Sequence, residues 1–234
     1  MRVLSSLLLL FVLFGVAAPA AAQIPQRAYT YQRALIGNAR FVWGLNAPIA
    51  TMAAQIHQES AWRPDAQSPY AGGLAQFTPD TADWISMRYS DYLGANQPYE
   101  PEWALRALAR YDKYLYDRMS FATRECDRWA FTLSGYNGGA GWVNRDRRLA
   151  TADGKDSTLW WGNVEEYSDR ADWAIRENRN YPVRILLDLQ PRYLSWGLGI
   201  SCEPPAPPEP PPAAPTDVPE DAILPGLVEC DHTK

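Results

Sequence analysis

The sequence predicts a mainly helical domain with at most a short irregular β element, framed by an apolar leader and a disordered proline-rich tail. Three observations carry that expectation. Between Gln23 and Cys202 the apolar residues recur mostly at helical spacing, alternating strand patterns are scarce, and Pro48, Thr78-Pro79 and Pro101 each stand where such a stripe begins. With 234 residues, 47% hydrophobic and 21% charged, the chain has the profile of a soluble globular protein and not of a wholly disordered or collagen-like one.

The segments follow in chain order. Met1–Ala22 has one charge, Arg2, then the apolar run Val3–Ala18 and the small residues Ala20-Ala21-Ala22. A short positive end, an apolar core and a small-residue cleavage site describe a secretory signal peptide. The run is slightly short for a membrane-spanning helix, which needs about 20 apolar residues. The expectation is cleavage after Ala22 and a mature chain exported to the periplasm or the medium. No cysteine stands at the cleavage site, which argues against a lipid anchor.

Within 23–202, Ile49, Met52, Ala53 and Ile56 share one helical face after Pro48, a residue that suits a first turn. Thr78 reads as the N-cap of a helix running through Ile85. Trp103, Ala107, Leu108, Tyr111 and Leu115 form a long stripe after Pro101, and Trp129, Leu133 and Tyr136 form another. Ile185, Leu186 and Leu189 predict a further helix after Pro182. Ser68–Phe77, with Gly72-Gly73, is the one place for an irregular β element. About 180 residues is large enough for one good core.

Nine of the twenty prolines lie between Pro204 and Pro219. Such a stretch favours extended polyproline II and buries little, so 203–234 is expected to be a spacer. Ile223–Val228 within it is a candidate contact element for a wall-associated or secretion-machinery partner. The leader carries +1 and the tail, with seven acids and one lysine, carries −6, so the total of −5 leaves 23–202 neutral. A neutral domain lacks the basic face that a nucleic-acid binder needs.

Export permits disulfides. Cys126, Cys202 and Cys230 make an odd set, so one bridge with one thiol over is the simplest arithmetic, and spacing does not decide which. Cys126–Cys202 is the favoured pairing because it would pin the end of the domain to an interior helix. With His57 and His232 as the only histidines, no zinc-ligand pattern can be assembled, and nothing calls for another cofactor.

Glu59 departs from its helix's pattern. It lies three residues after Ile56, on the face that should be buried, and in the last turn, where the helix dipole disfavours negative charge. Both effects raise a carboxyl pKa, and an acid still protonated near neutrality suits general-acid cleavage of a glycosidic bond. An ordinary helix-end glutamate paired with Arg63 is the plainer reading of Glu59 alone. Its company changes the balance: Ser60 follows it, then Ser68–Pro79 with Gly72-Gly73-Leu74-Ala75-Gln76, then Ser134–Gly139, then Glu177-Asn178-Arg179-Asn180-Tyr181.

In this order the four segments resemble the motifs of soluble lytic transglycosylase catalytic domains, of the goose-type lysozyme-like fold group. Glu59-Ser60 matches the family's Glu-Ser. Gly73-Leu74-Ala75-Gln76 matches Gly-Leu-Met-Gln with Ala for Met. Gly135-Tyr136-Asn137-Gly138-Gly139 matches Ala-Tyr-Asn-x-Gly with Gly for Ala, and Glu177–Tyr181 fits Glu-Thr-Arg-x-Tyr apart from Asn178. The match runs from about Ala47 to Leu187.

The resemblance implies a lysozyme-like helical fold. It also implies cleavage of the β-1,4 bond between N-acetylmuramic acid and N-acetylglucosamine in peptidoglycan glycan strands, with a 1,6-anhydromuramyl product. Glu59 would be general acid and then base. The substrate's acetamido group would replace the second carboxylate of ordinary glycosidases, with Asn137 orienting it and Tyr181 stabilising the neighbouring transition state. Ser60 and Gln76 would position Glu59 and the sugar, and Tyr136 would contact substrate or pack. Of the ten tryptophans, Trp84, Trp142 and Trp160-Trp161 are groove candidates, but core packing is the commoner use and none is assigned to the site. Arg145, Arg147 and Arg148 read as a solvated face. A hydrolytic goose-type lysozyme and a non-catalytic wall-binding or secretion accessory protein are the alternatives. The second would be marked by loss of Glu59, Asn137 or Tyr181, and all three are present.

Overall fold

A computed structural model describes residues 23–202. The leader 1–22, the tail 203–234, Ile223–Val228 and Cys230 lie outside the described residues. Nine α-helices among the described residues build the fold: α1 (Ala28–Trp43), α2 (Ile49–Ser60), α3 (Pro79–Arg88), α4 (Ser90–Leu93), α5 (Pro101–Arg118), α6 (Glu125–Gly138), α7 (Ala140–Ala152), α8 (Asp172–Val183) and α9 (Gln190–Tyr193). A 3₁₀ turn at Val164–Glu166 precedes α8, and a π-helical stretch at Arg184–Leu189 joins α8 to α9. The expected irregular β element is present as isolated antiparallel bridges, Gln67 with Gly72 and Gly72 with Phe77.

The centre of the domain is α2. Its residues Ile49 to Ile56 are all buried, including the polar Thr51 and Gln55. A helix apolar nearly all round belongs inside a protein, and Ala50, Ala53 and Ala54 allow its neighbours to approach closely. The helix packs against α1, α9 and the π stretch. The longest helix, α5, buries Trp103, Ala104, Ala107, Leu108 and Leu115 along its stripe and packs on α1 and α6. Thr78 caps α3 as the sequence predicts, its hydroxyl accepting from Thr81 N at 3.3 Å.

Two elements differ from expectation. Helix α1 gives little signal because its buried residues are only Ala28, Leu35 and Ala39, two of them too small to mark a stripe. The helix expected to start after Pro182 instead contains that proline inside α8. Proline removes the backbone donor to the preceding turn, and the chain widens immediately afterwards into the π stretch. Ile185, Leu186 and Leu189 are buried there against α2.

The domain's end is fastened twice. Gln190 Oε1 accepts from Thr51 at 2.5 Å and from Ile200 N at 2.9 Å, while its Nε2 donates to Ile200 O at 2.8 Å. Cys126 near the start of α6 is disulfide-bonded to Cys202, across 76 residues of sequence.

Candidate active site

The chain leaves α2 by an unusual path. Ala61 and Trp62 both adopt left-handed backbone conformations, at φ 49° and 65°, with no glycine to ease the turn. Burial of Trp62 explains how the turn is held: its indole is fully enclosed and donates to Tyr193 Oη at 2.8 Å, and that hydroxyl also bonds His57 Nδ1 at 2.7 Å. Glu59 therefore ends a helix whose exit is anchored on both sides.

Glu59 opens onto a cleft of about 610 Å³. Burial is the largest influence on its carboxyl and raises the pKa from near 4.5 to about 8. A hydrogen bond from Tyr181 Oη to Glu59 Oε1 opposes the rise, while Glu177, and Asp112 where it is ionised, add to it. Tyr181 is itself buried in α8, and its ring stacks on Tyr136 at 6.4 Å between centroids. Burial and the nearby Glu59 carboxyl hold both phenols well above their ordinary range, so each stays a donor.

The remaining candidates divide by place. Gln76 lines the cleft in a left-handed conformation, φ 47°. Its amide hydrogens go to Ala66 O at 3.1 Å and Gly73 O at 3.0 Å, which leaves Oε1 as the free acceptor of the side chain. The loop that holds it needs Gly73, which sits at φ 78° and presses against the Pro98 carbonyl where a Cβ would collide. Tyr136 lines the cleft and donates to Ala75 O at 2.8 Å. Asn137, in the last turn of α6, also lines it, donating to Glu177 Oε1 at 3.3 Å. Ser60 does not line the cleft. Its side chain is buried and bonds back to Ile56 O at 3.3 Å, inside the last turn of α2.

Several residues that the sequence did not single out complete the site. Asn178, where the family's pattern has Thr, is fully buried, and its Nδ2 donates to Ser134 O at 2.9 Å and Asn137 Oδ1 at 3.0 Å. Its Oδ1 accepts from Ser134, Arg170 and Arg179, each at 2.8 Å. Both arginines pair with the buried Asp146 of α7, at 3.0 and 2.8 Å. Gly138 is required at this junction, since a Cβ would lie 2.5 Å from Arg170 Nη1 and 2.8 Å from Asn178 Nδ2. The network thus orients Asn137 from behind.

The cleft also holds Glu177, a second carboxylate, and the aromatic residues Tyr70, Trp142 and Trp173. Tyr70 is 79% exposed and Trp173 65% exposed, so both rings keep open faces at the cleft. Trp142 was a groove candidate from sequence; Trp160 is buried, and Trp84 lies in a separate hollow with Tyr111 and Tyr114. The basic run stays outside the cleft: Arg147 and Arg148 line a shallow hollow with Ser157, and Arg145 stacks on Trp142 at 4.4 Å.

Comparison with known proteins gives the family. The family model described as the transglycosylase SLT domain matches residues 43–159, a span that holds Glu59, Gln76, Tyr136 and Asn137 and ends before Tyr181. The chain is 37% identical over 117 residues to the membrane-bound lytic murein transglycosylase F of Marinobacter nauticus, covering 50% of this chain and 22% of that protein. The proteins of the same name in Shewanella frigidimarina and Ectopseudomonas mendocina are 34% identical over 110 residues and 31% identical over 156. These alignments cover 47% and 62% of this chain, and 21% and 30% of the two relatives. The chain spans between about a fifth and a third of the length of the curated relatives it matches. By its family match and its ordered motifs, the chain belongs to the transglycosylase SLT domain family.

Proposed function

We propose that this chain is a peptidoglycan lytic transglycosylase that cleaves the MurNAc-β-1,4-GlcNAc bond and leaves a 1,6-anhydromuramyl end. The observation that carries the reading is the desolvated Glu59 carboxyl, bonded by Tyr181 and opening onto a cleft with aromatic and amide walls. A carboxyl that keeps its proton to about pH 8 is a competent acid at neutrality. In the proposed reaction Glu59 gives its proton to the glycosidic oxygen as the bond to C1 of the muramyl residue breaks. The acetamido oxygen of that residue closes on C1 and holds the developing positive charge. The Glu59 carboxylate then takes the proton of the C6 hydroxyl while O6 bonds to C1 and displaces the acetamido oxygen. No water enters and Glu59 ends protonated.

The other residues take roles suited to their surroundings. Asn137, fixed by Asn178 and Glu177, orients the acetamide. Tyr181 donates to Glu59 in its carboxylate form and lies beside the transition state. Gln76 offers Oε1 to a sugar donor, Tyr136 carries the stacked floor on which Tyr181 rests, and Ser60 secures the end of α2. The proposed substrate is the glycan strand alone, with no nucleic acid and no cofactor.

A second reading is favoured by one observation. Glu177 places another carboxylate in the cleft, as a hydrolytic muramidase of this fold could use to activate water. A non-catalytic accessory protein is the third possibility, and it makes no use of Glu59 as a proton donor. Glu59→Gln keeps shape but removes the proton. Clearance of purified sacculi should fall by about 10²–10⁴-fold with the circular dichroism spectrum unchanged. Near-normal clearance by a folded Glu59→Gln protein would remove the enzymatic assignment.

Residues 1–22 are proposed to export the chain, 23–202 to form the catalytic domain, and 203–234 to act as a spacer. The Cys126–Cys202 disulfide supports a site of action outside the reducing cytoplasm, as does the wall substrate. Among the described residues no helix is long and apolar enough to cross a membrane. Terminal sequencing of the chain recovered from the periplasm or medium should begin at Gln23, and recovery of an intact Met1 terminus would contradict the leader.

A further inference from the structure

A second buried acid lies under Glu59, and the proposed reaction does not use it. Gln55 precedes Glu59 by four residues, hence one turn earlier on the same face of α2. Its Nε2 donates to Asp112 Oδ1 of α5 at 3.2 Å, and both residues are fully buried. Each has one oxygen left over. Gln55 Oε1 and Asp112 Oδ2 are both buried without a hydrogen-bond partner. Were Asp112 ionised, the pair would consist of a buried charge with no cation against it and two unsatisfied acceptors, an arrangement costly on every count. One proton resolves all of it. A neutral carboxyl donates its O–H to the amide oxygen while its other oxygen accepts the amide N–H, and both leftover oxygens are satisfied.

We propose that Asp112 is a positioning residue, a neutral carboxylic acid locked to Gln55 by two reciprocal hydrogen bonds, which gives Glu59 an uncharged floor. Its place explains why neutrality matters. The titratable groups on which an Asp112 charge would act are Glu59 from α2, Tyr136 from α6, Tyr181 from α8 and Tyr111 on its own helix, and none of them is basic. Burial raises Asp112 to about 8, the same region as Glu59, so the two acids compete for one negative charge. Keeping the proton on Asp112 lets Glu59 carry that charge during the interval between giving up its proton and recovering one. This role rests on the reading of Glu59 as acid and base, whereas the protonation state of Asp112 does not.

The carbon-13 resonance of the Asp112 side-chain carboxyl in the full-length labelled chain, assigned sequentially, tests the state directly. It should stay at the protonated position throughout the range from about pH 5 to 7. A carboxylate position there would overturn the proposal whether or not the protein cleaves glycan. The role is tested with Asp112→Asn, which reproduces both hydrogen bonds without a titratable proton. It should keep kcat/KM within about threefold and leave the alkaline limb of its pH profile in place, whereas Asp112→Leu should lose at least tenfold, order of magnitude, in kcat. Movement of that limb in Asp112→Asn to lower pH by about one unit would show that Asp112 is charged at neutrality and acts on Glu59 as an ion. Failure of Asp112→Asn to fold would equally contradict a neutral pair, because the amide satisfies the same partners.

Discussion

In the proposed reaction Glu59 is an acid at one moment and a base at the next, and its surroundings favour the first state at rest. Burial holds the proton on to about pH 8, while the Tyr181 hydroxyl limits how far the carboxyl can rise. Because the folded protein binds that proton more tightly than the unfolded chain, Glu59 contributes its full share of stability only below its unfolded value near 4.5. That share is lost as pH climbs towards 8. A glutamine does not titrate, so the melting temperature of Glu59→Gln should overtake the parent's progressively from about pH 5 to 8, by something of order 5 °C at the top of the range. Calorimetry across that range checks it, and a constant gap between the two proteins would show that the carboxyl is not desolvated. The parent's activity should also decline above about pH 8 as Glu59 loses its proton.

At the scale of elements, the site is assembled by helix ends. The end of α2 brings Glu59, the end of α6 brings Asn137, and α8 brings Tyr181 and Glu177. The clasp between α6, α7 and α8 is the group of Ser134, Asn178, Arg170, Arg179 and Asp146. Removing its acid by Asp146→Ala leaves two guanidinium groups together without a counter-ion. The cost should be about 3–5 kcal/mol in urea unfolding, with clearance of sacculi falling as Asn137 loses its support. A cost below about 1 kcal/mol would mean that the network does not hold the clasp.

How much of this was legible in the sequence depended on whether the signal was local. Glu59 stood out as an acid on an apolar face, and Gln76, Tyr136, Asn137 and Tyr181 stood out within short motifs; all of them line the cleft. The clasp was invisible because its members come from three helices and a loop, and only packing brings them together. Asn178 read as a departure from the Glu-Thr-Arg-x-Tyr pattern, yet its longer amide reaches Asn137 and Arg170 at once. Trp173 gave no signal, being a single aromatic residue in a polar helix. Ser60 was named only through the resemblance; its hydroxyl bonds back to Ile56 O within α2, a partner its position in the motif did not reveal. Pro182 was read as a boundary because proline usually is one, and here it lies inside α8 with the π stretch directly after it.

For the whole described domain, a central buried helix carries Glu59, the loop after it and helices α6, α7 and α8 present the amide and aromatic walls, and a disulfide ties the end of the domain to α6. On the proposed function, two nucleophiles compete for C1 of the muramyl residue. In the proposed reaction Asn137 orients the acetamide and the sugar's own C6 hydroxyl attacks, whereas Glu177, bonded to Asn137 at the same wall, offers a hydrolytic enzyme a way to activate water. Mass spectrometry of the muropeptides released from purified sacculi decides between them. The released products should be one water lighter than those of a lysozyme, ending in 1,6-anhydromuramic acid. Predominantly reducing-end muramic acid would contradict it and make this cleft hydrolytic.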